Sequence, residues 1–206
     1  LTKGFRVACM ASGSGTDFQS IVDAVERGDV DAQVALLVCN LPDARVIERA
    51  KKHHIPVAVI DHRGKSREDF EREMIHAIDE EEVDLVVMVG FMRMLTGVFV
   101  SHYRNRLINI HPALLPSFPG TQGIKDALDY GVKVTGCTIH FVDEEMDHGP
   151  IIMQRAVNVK DGDSPDDLKN RVLQQEHQAL PEVIQLFTRD RVRLEGRHVH
   201  ILPEKK

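Results

Sequence analysis

The sequence predicts an α/β fold in which a mostly parallel, twisted sheet carries helices on both faces and ends in an antiparallel C-terminal part. Two observations predict it. Short runs rich in Val, Ile and Leu alternate with longer segments of helical period, which is the pattern of βα units. Two late β-like runs are joined by too short a stretch for a crossover, which permits an antiparallel pairing.

Phe5 to Ala11, Gln33 to Cys39, Val57 to Ile60, Leu85 to Val89 and Leu107 to Ile110 are apolar runs too short for an ordinary helix, and they read as buried strands. Phe18 to Arg27, Ala44 to His53 and Arg67 to Glu80 read as the helices between them. In the last of these, Phe70, Met74, Ile75 and Ile78 fall on one face, while Glu71, Arg72, Asp79 and Glu80 are expected to turn mostly outward. A helix from Gly123 to Tyr130 precedes the antiparallel pair, Val134 to Val142 and Ile151 to Val157. Ser164 to Phe187 is a long helical segment opened by Ser-Pro-Asp-Asp, which supplies a cap, a first-turn proline and acidic residues at the positive end of the helix dipole. Pro181 is expected to kink or divide it, and Pro203 to Lys206 read as a frayed tail.

With 206 residues, 42% of them hydrophobic, the chain can bury one substantial core and reads as a single domain over 1–206. A net charge of −6 argues against a general affinity for nucleic acid or anionic membrane, so an anionic substrate needs a local site. Cys9, Cys39 and Cys137 lack the spacing of a zinc site or a redox pair and read as small buried side chains in a reducing compartment. There is no run of about eighteen apolar residues and no basic N-terminal region leading into an apolar one, so a soluble, cytoplasmic protein is expected.

Ser12-Gly13-Ser14-Gly15-Thr16-Asp17 lies between the first strand and the first helix, where backbone N–H groups and the helix dipole together can receive an anion. A dinucleotide fingerprint would need a small residue where Phe18 stands and an acid after the second strand, where the chain has Cys39-Asn40. A Walker loop would need Gly-Lys-Ser/Thr, and no lysine follows these glycines. A monophosphate remains, with Thr16 and the neighbouring amides as donors; the glycines would equally serve a tight turn.

In Leu107-Ile108-Asn109-Ile110-His111-Pro112, two polar residues two apart at the end of a buried strand leave the same face. Ligands of open α/β sheets collect beyond such carboxyl ends. An amide and an imidazole together can donate hydrogen bonds to an oxygen that is becoming negative. Asp147, in Glu145-Met146-Asp147-His148-Gly149-Pro150, alone would be a turn residue; brought near His111, its carboxylate would favour the imidazolium and could carry a proton from an attacking amine. No Ser or Cys nucleophile stands beside a base in these motifs and no histidines have helical zinc spacing, which favours direct transfer within a ternary complex, with no metal.

At these motifs the chain resembles the glycinamide ribonucleotide formyltransferases, the folate-dependent transformylases of purine synthesis, from Arg6 to about Phe187. Four blocks carry the resemblance in order: Ala11 to Thr16; Gly90-Phe91-Met92-Arg93-Met94-Leu95; Asn109-Ile110-His111-Pro112 with Leu114-Leu115-Pro116; and His140-Phe141-Val142 running on to Asp147-His148-Gly149-Pro150. It implies the Rossmann-like formyltransferase fold, with a nucleotide-binding part over about 1–100 and a folate-binding and catalytic part over about 85–190. It implies that Gly13, Gly15, Thr16 and Asp17 hold the ribonucleotide phosphate and that Glu176 holds its ribose or glycinamide. Arg67, Met92, Arg93, Met94, Leu95 and Asn109, with Asp143, Glu144, Glu145, Met146 and Asp147, would surround 10-formyltetrahydrofolate as co-substrate. Asn109, His111 and Asp147 would be the catalytic set. The chain departs from the family at Asp17, usually Asn, and at His148, often Gly or Thr.

Formyltetrahydrofolate deformylase is similar in its Asn, His and Asp set but uses water as acceptor and usually carries an added N-terminal regulatory domain, which this chain is not expected to have. Methionyl-tRNA formyltransferase is similar around the same blocks but adds a C-terminal RNA-binding domain that this acidic chain is not expected to have. A non-catalytic nucleotide-binding protein is the rival from another class. A homodimer is compatible with the sequence, although periodicity identifies no patch for it.

Overall fold

Val7 to Ala11, Leu37 to Cys39 and Leu85 to Val87 have no exposed surface at all, the burial that parallel strands covered on both faces require. They belong to β1 (Phe5–Ala11), β2 (Ala32–Cys39) and β4 (Leu85–Met88), which with β3 (Val57–Val59) pair in parallel in the order β3-β2-β1-β4. The computed structural model describes residues 4–204. It divides into two compact units, one ending at Ile108 and the other beginning at Asn109.

In the first unit the strands are connected by α1 (Thr16–Glu26), α2 (Arg45–Lys52) and α3 (Arg67–Glu80), and α4 (Gly97–His102) leads towards β5 (Leu107–His111). Helix α1 starts at Thr16, two residues before the apolar periodicity does, because Gly15 takes the left-handed conformation (φ 74°) at its N-cap. Helix α3 has the predicted apolar face, with Phe70, Met74 and Ile78 buried, but Glu71 is buried beside them instead of turning outward. Its carboxylate accepts hydrogen bonds from the Thr96 backbone N–H (2.6 Å) and hydroxyl (2.5 Å), and this pairing offsets the cost of burial. Thr96 in turn caps α4, a helix that periodicity did not predict because it has fewer than two turns.

Strand β5 carries the chain out of the first unit. In the second, β5 is followed by α5 (Gly123–Tyr130), β6 (Val134–Phe141), β7 (Ile151–Asn158) and α6 (Pro165–Thr188), and the seven-stranded order ends β5-β6-β7. β6 and β7 are antiparallel, as predicted, and α6 packs on both. Ser164 and Asp167 form a capping box with Pro165 in the first turn. Pro181 does not divide α6, which runs unbroken to Thr188 with Ala179, Leu180, Val183 and Ile184 wholly buried around the proline. Tertiary burial there outweighs the lost backbone hydrogen bond. A hairpin of β8 (Val192–Glu195) and β9 (His198–Ile201) follows. The chain beyond it is not frayed as far as Glu204, whose carboxylate pairs with Arg189 at 2.6 Å; the last two residues of that predicted tail lie outside the described residues.

Candidate active site

Asn109 and His111 leave β5 on one face, and Pro112 ends the strand because it has no N–H to give to a ladder. The loop that follows is tied to β6 by Thr138. Its buried hydroxyl donates to the Ala113 carbonyl (2.7 Å) and accepts from the Leu115 N–H (3.0 Å) and from Gln154 Nε2 (3.0 Å). The same Gln154 amide donates to the Leu115 carbonyl at 2.9 Å. Held there, the loop turns through left-handed conformations at Phe118 (φ 53°) and Gly120 (φ 95°) and presents two backbone groups to the site. The Phe118 carbonyl accepts from His111 Nε2 at 2.7 Å, and the Gly120 N–H donates to Asp147 Oδ2 at 2.7 Å.

Asp147 reaches the site from the loop between β6 and β7, itself in a left-handed conformation (φ 52°). Its Oδ2 lies 3.5 Å from His111 Nδ1 and its Oδ1 lies 3.8 Å from His140 Nε2, with only 11% of the side chain exposed. Both nitrogens of His111 thus face acceptors. A ring that donates from Nε2 to the Phe118 carbonyl turns its Nδ1 edge to the Asp147 carboxylate.

His140, a residue that sequence reasoning did not place in the site, completes it. Burial pushes its pKa below the ordinary histidine value, against weaker opposing effects from the Phe141 carbonyl and Asp147. The neutral ring donates from Nδ1 to the Phe141 carbonyl (2.8 Å), which leaves Nε2 to accept from Asn109 Nδ2 at 3.3 Å. One amide hydrogen of Asn109 is thereby committed and the other is oriented for a ligand. The available signal was a histidine inside the apolar run Thr138-Ile139-His140-Phe141, a polar side chain that such a strand buries only for a reason.

Of the residues expected to meet folate in this unit, Asp143 is half-buried while Glu144, Glu145 and Met146 form the exposed tip of the Asp147 loop. Glu176 lies buried on α6.

In the first unit the glycine loop is shaped by α2. The Gly13 carbonyl accepts from the Val46 N–H (3.1 Å) and the Ser14 carbonyl from Arg49 Nε (2.8 Å), so the loop's acceptors are turned away from the start of α1. No side-chain hydrogen bond caps α1, an arrangement suited to an incoming anion at Thr16 and Asp17. Arg49 was not singled out from the sequence, where it is one of many exposed-looking charges. Gly15 must be glycine twice over: its φ is left-handed, and a Cβ would lie 2.5 Å from Val46 Cγ2. Gly15→Ala is expected to lower the thermal midpoint by about 5 °C, from strain of about 1–3 kcal/mol. An unchanged midpoint in a scanning calorimeter would refute this account of the loop.

Ser12 joins the glycine loop to the Met92 segment. Its hydroxyl donates to Asn40 Oδ1 (2.6 Å) and accepts from the Met92 N–H (2.9 Å). Met92 is 67% and Met94 46% exposed, too open for core side chains, whereas Arg93 and Leu95 are half-buried. Arg67 is exposed at the start of α3, one turn before the Glu71 that binds Thr96, and so on the helix face towards this segment. Asp23, Glu26 and His53 also lie together in this unit, but both ring nitrogens are engaged, one with Glu26 (2.6 Å) and the other with Gln19 (2.9 Å).

The sequence matches the formyl transferase family over residues 5–184. Phosphoribosylglycinamide formyltransferase of Bacillus subtilis is 40% identical over 180 residues, which cover 87% of this chain and 92% of that protein. The trifunctional purine biosynthetic protein adenosine-3 of Gallus gallus is 41% identical over 186 residues, 90% of this chain, and the chain spans only 18% of that protein's length. Among solved structures, glycinamide ribonucleotide transformylase 1 from Symbiobacterium toebii superposes with a TM-score of 0.95 at 41% identity, covering 97% of this chain and 94% of that one.

Proposed function

The chain belongs to the formyl transferase family, and from that premise we propose that it moves the formyl group of 10-formyltetrahydrofolate onto the amine of glycinamide ribonucleotide. The observation that carries this reading is the convergence of Asn109, His111 and Asp147 at one buried point, with His140 orienting the amide.

The substrate amine attacks the formyl carbon and a tetrahedral intermediate forms. Its oxyanion takes the oriented Asn109 N–H and an N–H of His111, the ring exchanging its Phe118 carbonyl for the new acceptor. Each such donor contributes about 3–4 kcal/mol at the transition state because it is held in place before reaction and shielded from water. Asp147 supports His111 and accepts the proton that the amine loses, which then passes to the folate nitrogen as the carbon–nitrogen bond to folate breaks. These groups suffice without a metal.

The glycine loop at Gly13, Gly15, Thr16 and Asp17 would take the phosphate of the ribonucleotide and Glu176 its ribose or glycinamide. Arg67, Met92 to Leu95, Asn109 and Asp143 to Asp147 would take the folate. Exposed Met92 and Met94 suit a flat apolar ring better than a core. We read the whole as one formyltransferase domain acting in the cytoplasm, with a homodimer as its candidate assembly. Among the described residues no helix is long and apolar enough to cross a membrane. The test is direct: with both substrates present, mass spectrometry is expected to find the ribonucleotide heavier by one carbonyl group. Ribonucleotide recovered unchanged would overturn the proposal.

A further inference from the structure

Asp147 sits on a loop whose base and tip are held by different means. At the base, the Phe141 N–H donates to the Pro150 carbonyl (2.9 Å), and Gly149 passes so close that a Cβ there would lie 1.7 Å from the Phe141 carbonyl oxygen. These contacts fix where the loop leaves and rejoins the strands, but they do not reach the backbone at Asp147, whose φ of 52° lies in the left-handed region that aspartate enters more readily than most side chains but still less readily than the right-handed one.

The tip is held from outside. His148 Nδ1 donates to Asp143 Oδ2 (2.8 Å) across the loop, and Asp143 Oδ1 accepts from the Glu145 N–H (3.0 Å). Arg197, beside the turn of the β8–β9 hairpin, donates from Nη2 to the His148 carbonyl at 2.6 Å and sets Nη1 3.5 Å from His148 Nε2. A planar guanidinium addressing two atoms of one residue restrains that residue in orientation as well as position.

We propose that Arg197 is a positioning residue for formyl transfer. Through the His148 carbonyl it keeps Asp147 in its left-handed conformation, and hence keeps the carboxylate on the Gly120 N–H and against His111. This inference rests on the role given to Asp147 above. Its exposure on the hairpin means that Arg197 adds little to global stability, so its removal is expected to act on turnover instead of on folding. Displacement of a catalytic group by a fraction of an ångström to an ångström is costly in rate.

Steady-state kinetics of formyl transfer test it in wild type, Arg197→Ala, Arg197→Lys and, as a control on the same hairpin, Arg193→Gln. Arg197→Ala is expected to lower kcat about tenfold with the ribonucleotide KM within about twofold. Arg197→Lys, which retains one donor for the carbonyl, restores most of the loss, and Arg193→Gln matches wild type. In an Asp147→Asn background Arg197→Ala costs nothing further, because the group it positions is gone. A kcat for Arg197→Ala within about twofold of wild type, or the same loss in the Asp147→Asn background, overturns the proposal. Absence of transfer by wild type itself overturns the assigned reaction, and this role with it.

Discussion

His111→Ala is expected to lower the rate of formyl transfer by about a thousandfold. The ring is the only group that faces both the Asp147 carboxylate and the 118–120 backbone among the contacts described, with 3.5 Å to Asp147 Oδ2 and 2.7 Å to the Phe118 carbonyl. Its loss removes an oxyanion donor and leaves Asp147 without the ring it faces. Asn109 would remain in place, because its orientation comes from His140 and not from His111. The residual activity of the variant therefore measures what the Asn109 donor does alone. Single-turnover rates check this, with a circular dichroism melt to show that the variant is folded. A folded variant that retains a tenth or more of the wild-type rate would remove His111 from the mechanism.

Asp147→Asn is expected to lower kcat by about a hundredfold or more and to leave the ribonucleotide dissociation constant within about twofold. The substitution preserves shape. An amide oxygen can still accept from the Gly120 N–H, so the loop keeps its anchor and only the negative charge is lost. In the proposed reaction the phosphate is held by the glycine loop and Asp147 acts on the transferring group, so binding of the ribonucleotide is expected not to register the change. Stopped-flow turnover beside calorimetric titration of the ribonucleotide separates the two quantities. Equal losses in both would refute the catalytic role and make Asp147 a binding residue.

What could be read from the sequence divides along physical lines. The central strands were legible because each is an apolar run bounded by turn residues, and the β6–β7 pairing because its short connection permits an antiparallel arrangement. Asn109 and His111 were legible as a pair because strand period puts alternate residues on one face. Illegible features depended on partners distant in sequence. Glu71 looks solvent-facing until Thr96 supplies its hydrogen bonds, and Arg49 looks like surface charge until Ser14 turns its carbonyl to it. His140 belongs to the same class: its place depends on Asn109, thirty-one positions away. Pro181 does not divide its helix as local chemistry allows, because the burial of its neighbours holds the two turns together.

The central claim is that the acceptor of the formyl group is the amine of the ribonucleotide. Release of tetrahydrofolate from 10-formyltetrahydrofolate by the wild-type protein, followed with and without glycinamide ribonucleotide, tests it most directly. Release that requires the ribonucleotide is the predicted result; release at the same rate without it would make water the acceptor and contradict the account.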